Sequence, residues 1–314
     1  MKRTTLRAVT IDEKEWKAKG DALLKQAESV SKRTAKNDRH DSPSESALTE
    51  ARNLSFMSEM KLTVLAGEAF KIAGESYDAA KAFSRAAALF HDSRAASYYH
   101  EAGIAAEKVN PTLSNDYFSR SVSLNCDLLE FKDAAKLLER MANNYTKKDE
   151  LVASIAEFQR ASALYKAAGT LDDADRTLGR VAYLQSKTGD ITESSNSYKT
   201  LAMSQARRNT TIFNFPRYAM RSIILLLSVS ESLSKVQDLI DEFSKEDCRF
   251  GDSRELEFIH DIMHSISLPD IDMFAECAYS YNEVYDLDDL MLESLERLMK
   301  KIVIQKADDN SINH

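Results

Sequence analysis

Glycine and proline are scarce: 314 residues hold 8 Gly and 4 Pro, too few turn-formers for a fold of many short strands. What that scarcity leaves is an all-α chain. No apolar run approaches the ~20 residues of a bilayer-crossing helix, the longest being Ile223 to Leu227. The charged, Thr-rich N-terminus also lacks the apolar stretch of a secretory signal, so a cytoplasmic protein is expected. Cys126, Cys248 and Cys277 are widely separated and form no CxxC pair, which excludes the usual zinc and redox spacings and predicts reduced, partly buried thiols.

Catalytic signatures are equally sparse. The glycines form neither GxGxxG nor GxxxxGK[ST], so no phosphate cradle can be drawn. His260 and His264 are spaced i,i+4 as in HExxH, but Asp261 stands where the general-base Glu would be and no third ligand is evident. A solvated helix face accounts for them. The expectation is a non-enzyme with no cofactor and no metal.

What is present is a repeat. Tyr77-Asp78-Ala79-Ala80 runs to Phe83, Phe131-Lys132-Asp133-Ala134-Ala135 to Leu138, Leu171-Asp172-Asp173-Ala174 to Leu178, and Ile191-Thr192-Glu193-Ser194 to Leu201. The later phrases return about every twenty residues, and two such steps make a helical hairpin of about forty, close to the tetratricopeptide (TPR) period. Because each hairpin can bury its apolar face only against its neighbours, the pattern predicts a TPR-like twisted solenoid of antiparallel helical hairpins, whose usual work is holding other proteins. Pro43, Pro111, Pro216 and Pro269 all fall where the periodicity already breaks.

Along the chain, Trp16, Leu23, Leu24 and Ala27 predict a first amphipathic helix. Ser29 to Ser46 is polar and predicts a mobile loop. Hairpins come next, with Ala66, Ala69, Phe70 and Ala73 set to pack on Ala79, Ala80, Phe83, Ala86 and Ala87. Past Pro216 larger apolar residues take over, among them Leu239, Phe243, Phe258 and Ile262. The expected division is therefore a solenoid over 1–215, with its loop at about 29–46, and a C-terminal helical bundle with a short tail over 216–314.

Charge is uneven. The net balance is -8, yet Asp238 to Glu296 carries about eighteen acidic residues against Lys245, Arg249 and Arg254, whereas Arg160 to Arg221 is basic. Lys136 and Arg140, Arg176 and Arg180, and Arg217 and Arg221 are i,i+4 pairs recurring about every forty residues. They predict a cationic row along one side of the solenoid. Each like-charged pair costs about 0.2–0.5 kcal/mol alone, which an acidic ligand would offset; solvated helix faces or duplicated ancestry are the plainer reading. The negative balance and the lack of interleaved exposed aromatics speak against nucleic acid as that ligand.

Phe70-Lys71-Ile72-Ala73 with Tyr77 to Phe83, and then Phe250-Gly251-Asp252-Ser253-Arg254-Glu255, Tyr285-Asp286-Leu287-Asp288 and Arg297 to Ile302, are similar in order and spacing to the alpha-SNAP (soluble NSF attachment protein) family. The resemblance covers nearly the whole chain. It implies a non-enzymatic adaptor that wraps the acidic four-helix bundle of syntaxin-type SNARE proteins and recruits the hexameric AAA ATPase NSF to unwind it during vesicle fusion. Lys136, Arg176, Arg180 and Arg221 match SNARE-contacting basic positions of that family, whereas Glu130 replaces a residue that is often basic. The family's apolar membrane tip has no counterpart in Ser29 to Ser46, although Lys32, Arg33, Lys36 and Arg39 could meet an anionic membrane surface weakly, and Phe56 and Met57 nearby fit a helical stripe. Of the family's acidic tail only Asp308 and Asp309 remain as NSF-facing residues, and its acidic bundle contacts fall near His264, Ser267 and Leu268. The rival expectation is a repurposed scaffold of this ancestry that binds SNAREs or other helices without productive NSF coupling.

Overall fold

The computed structural model describes residues 13–37, 45–208, 214–230 and 232–312, with the backbone alone at 33–37, 45–52 and 307–312. Among the described residues there are fourteen α-helices and one 3-10 turn, and no strand. In chain order the helices are α1 (Glu13–Asn37), α2 (Glu45–Ile72), α3 (Ser76–Leu89), α4 (Ser93–Ala106), α5 (Pro111–Asp127), α6 (Phe131–Lys147), α7 (Leu151–Ala167), α8 (Leu171–Lys187) and α9 (Ile191–Arg208). They continue as α10 (Asn214–Val229), α11 (Leu233–Glu246), α12 (Arg254–Ser267), α13 (Ile271–Val284) and α14 (Asp289–Ile312), the 3-10 turn Cys248–Asp252 preceding α12. The fold is all-α, a TPR-like repeat of antiparallel hairpins.

The twenty-residue period has a backbone cause. Leu129, Asp149, Gly169 and Gly189 follow α5, α6, α7 and α8 in left-handed conformation, with φ of 62, 62, 73 and 89°. At each, the next amide reaches back five residues: Glu130 to Asn125 O at 2.8 Å, Glu150 to Tyr145 O at 3.0 Å, Thr170 to Tyr165 O at 3.0 Å and Asp190 to Gln185 O at 2.9 Å. The left-handed residue itself bonds three back, as in Gly169 to Lys166 O at 3.1 Å. This is the Schellman motif, which satisfies carbonyls orphaned at a helix end and reverses the chain. Gly74 repeats it after α2. Glycine adopts this conformation without cost, whereas Leu129 and Asp149 hold it against about 1–2 kcal/mol of steric resistance.

Residues 29–37 and 45–46, expected within a mobile loop, are helical, because the Lys, Arg and Ala residues of α1 favour helix strongly. The remainder of that loop, 38–44, lies outside the described residues. Phe56 and Met57 do sit on a helix, α2, but they are exposed rather than packed. Cys126 and Cys277 are half-buried and in no disulfide; Cys248 is exposed, contrary to expectation, because the turn it opens buries only Phe250. Pro111 occupies the first turn of α5 behind the Asn110 cap, Pro216 lies in the first turn of α10 and Pro269 lies in the turn before α13, as the sequence predicts, whereas Pro43 lies outside the described residues.

The chain forms two compact units, Met1–Met141 and Ala142–His314. The apolar core of the second runs unbroken past the 215/216 position expected as a boundary, since Leu201 and Ala202 of α9 share a cluster with Phe215, Ala219 and Ile223 of α10. The change from alanine to larger side chains there does not interrupt the core.

In the first unit α1 packs on α2, α2 on α3, α3 on α4 and α4 on α5. Ala66, Phe70, Ala79, Ala82, Phe83 and Ala102 form its centre. Small residues let these helices approach closely. A Cβ placed on Gly67 would lie 2.7 Å from the Phe83 ring, and one on Gly103 would lie 2.5 Å from Phe118. Gly103→Ala gains up to about 1 kcal/mol of helix propensity but overpacks a fully buried ring, at about 1–3 kcal/mol. Phe118 is 0% exposed and cannot swing away. Urea unfolding should therefore show Gly103→Ala less stable than the parent; equal or greater stability would refute the close packing.

In the second unit α7 packs on α8, α8 on α9 and α9 on α10, and α10 then touches α11, α12 and α14 at once. Its Ile223, Ile224 and Leu225 are completely buried, and Phe215, Phe243 and Phe250 meet edge to face at 5.6–6.0 Å between ring centres. Buried serines tie adjacent helices where they pass closest: Ser162 Oγ donates to Ala174 O at 2.9 Å and Ser194 Oγ to Ala182 O at 2.7 Å. Among the described residues, no helix is long and apolar enough to cross a membrane.

Candidate partner-binding faces

In the first unit, the second turn of α6 carries Lys136, exposed and paired with Asp133 at 2.7 Å one turn earlier. Arg140 behaves differently. Its Nε and Nη2 donate to both oxygens of Glu107, at 3.2 and 2.6 Å, and its guanidinium lies 5.5 Å from the Phe118 ring centre. A cleft of about 370 Å³ beside them is lined by His100, Asn125, Glu130, Asp133, Lys136 and Arg140 among others. Burial holds the His100 imidazole below its ordinary value of 6.5, Glu101 opposing and Arg140 reinforcing the shift. The cleft's cations at neutral pH are therefore Lys136 and Arg140, set against Glu130 and Asp133.

In the second unit, Arg176 sits at the same step of α8 as Lys136 does in α6, again three residues after an aspartate, and lies 3.4 Å from Asp173. Both are 56% exposed in their side chains. Arg180, one turn on, is exposed and forms no ion pair among the described residues. Arg217 projects from the first turn of α10 with its guanidinium 5.9 Å from the Tyr285 ring centre. Arg254 donates to the Tyr285 hydroxyl at 3.4 Å, so Tyr285 joins a cation from α10 to one from α12. Arg221 is drawn inward: it pairs with Asp288 at 2.6 Å, donates to Tyr198 Oη at 3.4 Å and lies 5.6 Å from that ring. Burial works against its charge, but Tyr198 and Asp288 outweigh burial and raise its pKa above the usual guanidinium value.

The six cations thus divide by role. Lys136, Arg176, Arg180 and Arg217 present charge to solvent, whereas Arg140 and Arg221 stitch helices together. Asp133, Glu107, Asp173 and Asp288 answer the like-charge repulsion inside each unit, so an acidic ligand is not required to relieve it. The sequence reading missed Tyr285 and Arg254, which become neighbours of Arg217 only through the turn from α13 into α14 and the cap of α12.

The remaining expected sites are less informative. Lys32 is exposed on α1. The side chains of Arg33, Lys36, Asp308 and Asp309, and the whole of Arg39, lie outside the described residues. His260 and His264 are exposed on α12, and no group of three His, Cys, Asp or Glu residues among those described could hold a metal ion.

An all-α repeat of hairpins presenting arginine and lysine on α6, α8 and α10 defines a helical scaffold with cationic faces. Its sequence matches the family described as Soluble NSF attachment protein, SNAP, over residues 59–303, and the chain belongs to that family. It is 23% identical over 249 residues to the alpha-soluble NSF attachment protein of Mus musculus, covering 76% of this chain and 81% of that one. The Homo sapiens protein of the same name is 22% identical over the same length and shares. Among solved structures, the Rap conjugation gene regulator of plasmid pLS20 with the Phr* peptide aligns at a TM-score of 0.35 and 10% identity, over 95% of this chain and 97% of that chain.

Proposed function

We propose that this protein is a SNAP-type adaptor: its exposed cations bind the acidic exterior of a SNARE four-helix bundle, and the C-terminal helices face an NSF-type hexameric ATPase that pulls the bundle apart. The observation that supports this most is the repetition of one exposed, aspartate-braced cation at the same step of two helices, Lys136 in α6 and Arg176 in α8. A brace of this kind restrains the side chain while leaving most of it accessible, so less conformational entropy is lost on binding. Arg180 and Arg217 add unbraced charge beside them. Membership of the family supports the partner class, and the relatives' names, NSF attachment proteins, support the ATPase. Arg140 and Arg221 hold the scaffold in this reading and meet the partner only with the exposed part of their side chains. Lys32, with Arg33, Lys36 and Arg39, would add weak attraction to an anionic membrane.

The coupling side is where a second reading enters. His264, Ser267 and Leu268 occupy the region in which the family places acidic contacts, and Leu268 is 60% exposed. A scaffold that holds SNAREs without handing them to NSF is favoured by that substitution of apolar and neutral surface for charge. Purified NSF, preassembled SNARE bundles and ATP distinguish the two. Disassembly that depends on this protein is the expected result; stable binding with intact bundles would replace the adaptor by the scaffold, and absence of binding would end the adaptor and leave the scaffold only with other helical partners.

A further inference from the structure

Two clefts of about 300 and 290 Å³ in the second unit meet at one side chain, Tyr285, and Arg217 lines both. Tyr285 directly follows α13 in extended conformation, with φ -132 and ψ 108°, at the start of the segment that leads into α14. Its hydroxyl accepts from Arg254 Nη1 at 3.4 Å, and the guanidinium of Arg217 lies 5.9 Å from its ring centre. We infer that Tyr285 is a phosphorylation site for a protein tyrosine kinase, and that Arg217 and Arg254 clasp the phosphoryl group, which withdraws Arg217 from the partner-binding face. The step moves the γ-phosphoryl of ATP to Tyr285 Oη: the bond to ADP breaks, the Oη–P bond forms, and the phenolic proton passes to the kinase's general base.

Three observations carry the assignment. First, the receptor for the new charge already stands: Arg217 and Arg254 are exposed and lie in no ion pair among the described residues. A tyrosine phosphate carries about -1.5 to -2, which two guanidiniums match, each able to donate through a pair of N–H groups. The other cations nearby are engaged, Arg249 with both oxygens of Asp247 and Arg221 with Asp288. Second, Tyr285 is partly exposed and lies outside the helices, so an enzyme can reach its hydroxyl and flanking backbone without unwinding a turn. Tyr279 makes the contrast. It is 64% exposed but lies within α13, and its hydroxyl donates to Glu283 at 2.7 Å, so a phosphate there would meet a carboxylate. Third, the segment is held where both arginines reach it: Tyr285 N donates to Tyr281 O at 3.0 Å, and Leu287 N to Asn282 Oδ1 at 2.9 Å. Glu255 and Asp286 also line these clefts and oppose the phosphate, which is why the clasp uses two arginines. The withdrawal of Arg217 rests on the partner-binding reading above; the clasp itself does not.

The test uses the full chain, incubated with ATP, magnesium and a soluble tyrosine kinase and mapped by mass spectrometry, and the same chain made with phosphotyrosine built in at 285 or at 279. Labelling at Tyr285 that Tyr285→Phe removes is the expected result; labelling of other tyrosines with Tyr285 untouched would overturn the assignment. Phosphotyrosine at 285 should raise the thermal unfolding midpoint by about 2–4 °C. Arg217→Gln combined with Arg254→Gln should erase that rise, and phosphotyrosine at 279 should give none. No rise at 285, or a rise that survives in the double variant, would overturn the clasp. Association of the 285-phosphorylated chain with a preassembled SNARE bundle should slow at least about threefold at low ionic strength, and an unchanged rate would overturn the withdrawal of Arg217. A parent chain that binds no bundle would end the partner reading alone, because the clasp is judged by the unfolding midpoint.

Discussion

Asp175→Ala should lower the stability of the protein by about 3–5 kcal/mol, the range for removing one partner of a buried ion pair. Asp175 is 5% exposed in its side chain and lies between α8 and α9, where it accepts from Gln205 Nε2 at 2.7 Å, from Ser204 Oγ at 3.1 Å and from the Nη2 of Arg208, itself 16% exposed. Arg208 also reaches Asp172, but that carboxylate is 92% exposed and held in water, where an ion pair adds little. Alanine therefore strands a largely buried guanidinium and two neutral donors together. Asp175→Asn keeps the shape and some of the hydrogen bonds, so its loss should be smaller. Urea unfolding followed by circular dichroism measures both, and a change under about 1 kcal/mol for alanine would show that water reaches the network freely.

Reversing charge at Lys136 and Arg176 together should slow association with a preassembled SNARE bundle by about 10–100-fold at low ionic strength. The fall of affinity with added salt should flatten as well, because salt screens only attraction that exists. Both side chains are more than half exposed, and each pairs with an aspartate at i−3 on its own helix, in water, where an ion pair adds little; stability should change far less than association. Arg221→Ala offers the contrast: it leaves Asp288 without its 2.6 Å partner and Tyr198 without its cation, and should reduce stability while leaving the salt dependence in place. Unchanged affinity after the double reversal, in a folded protein, would remove these faces from the mechanism.

Much of this fold could be read from the chain because its logic is local. The spacing of the repeated phrase comes from the Schellman turns, and the inward stripes from Ala66 to Ala87 are buried as their period predicts. Charge positions were legible for the same reason: an i,i+4 pair lies on one helix face whatever else the protein does. What each charge touches was not. Arg140 finds Glu107 thirty-three residues away, and nothing in the periodicity of α6 marks it as a scaffold residue and Lys136 as a surface one. Arg217, Tyr285 and Arg254 likewise meet through packing of separate helices, with no motif to announce it. The polar stretch after Ser29 misled for a different reason. A lack of apolar residues argues against an independent core, but α1 is already anchored by its packing on α2 and continues as helix through residues of good propensity.

The turns at Leu129, Asp149, Gly169 and Gly189 constrain how such a chain can change its length. Each reverses direction, so inserting or deleting a single helix with its turn would point every later helix the opposite way, and the cations near the starts of α8 and α10 would reverse with them. Only removal or duplication in steps of two, about forty residues, keeps the downstream rods in their original polarity. Ancestral gain or loss of length in this architecture should therefore come in whole hairpins, and an odd count would demand a new surface.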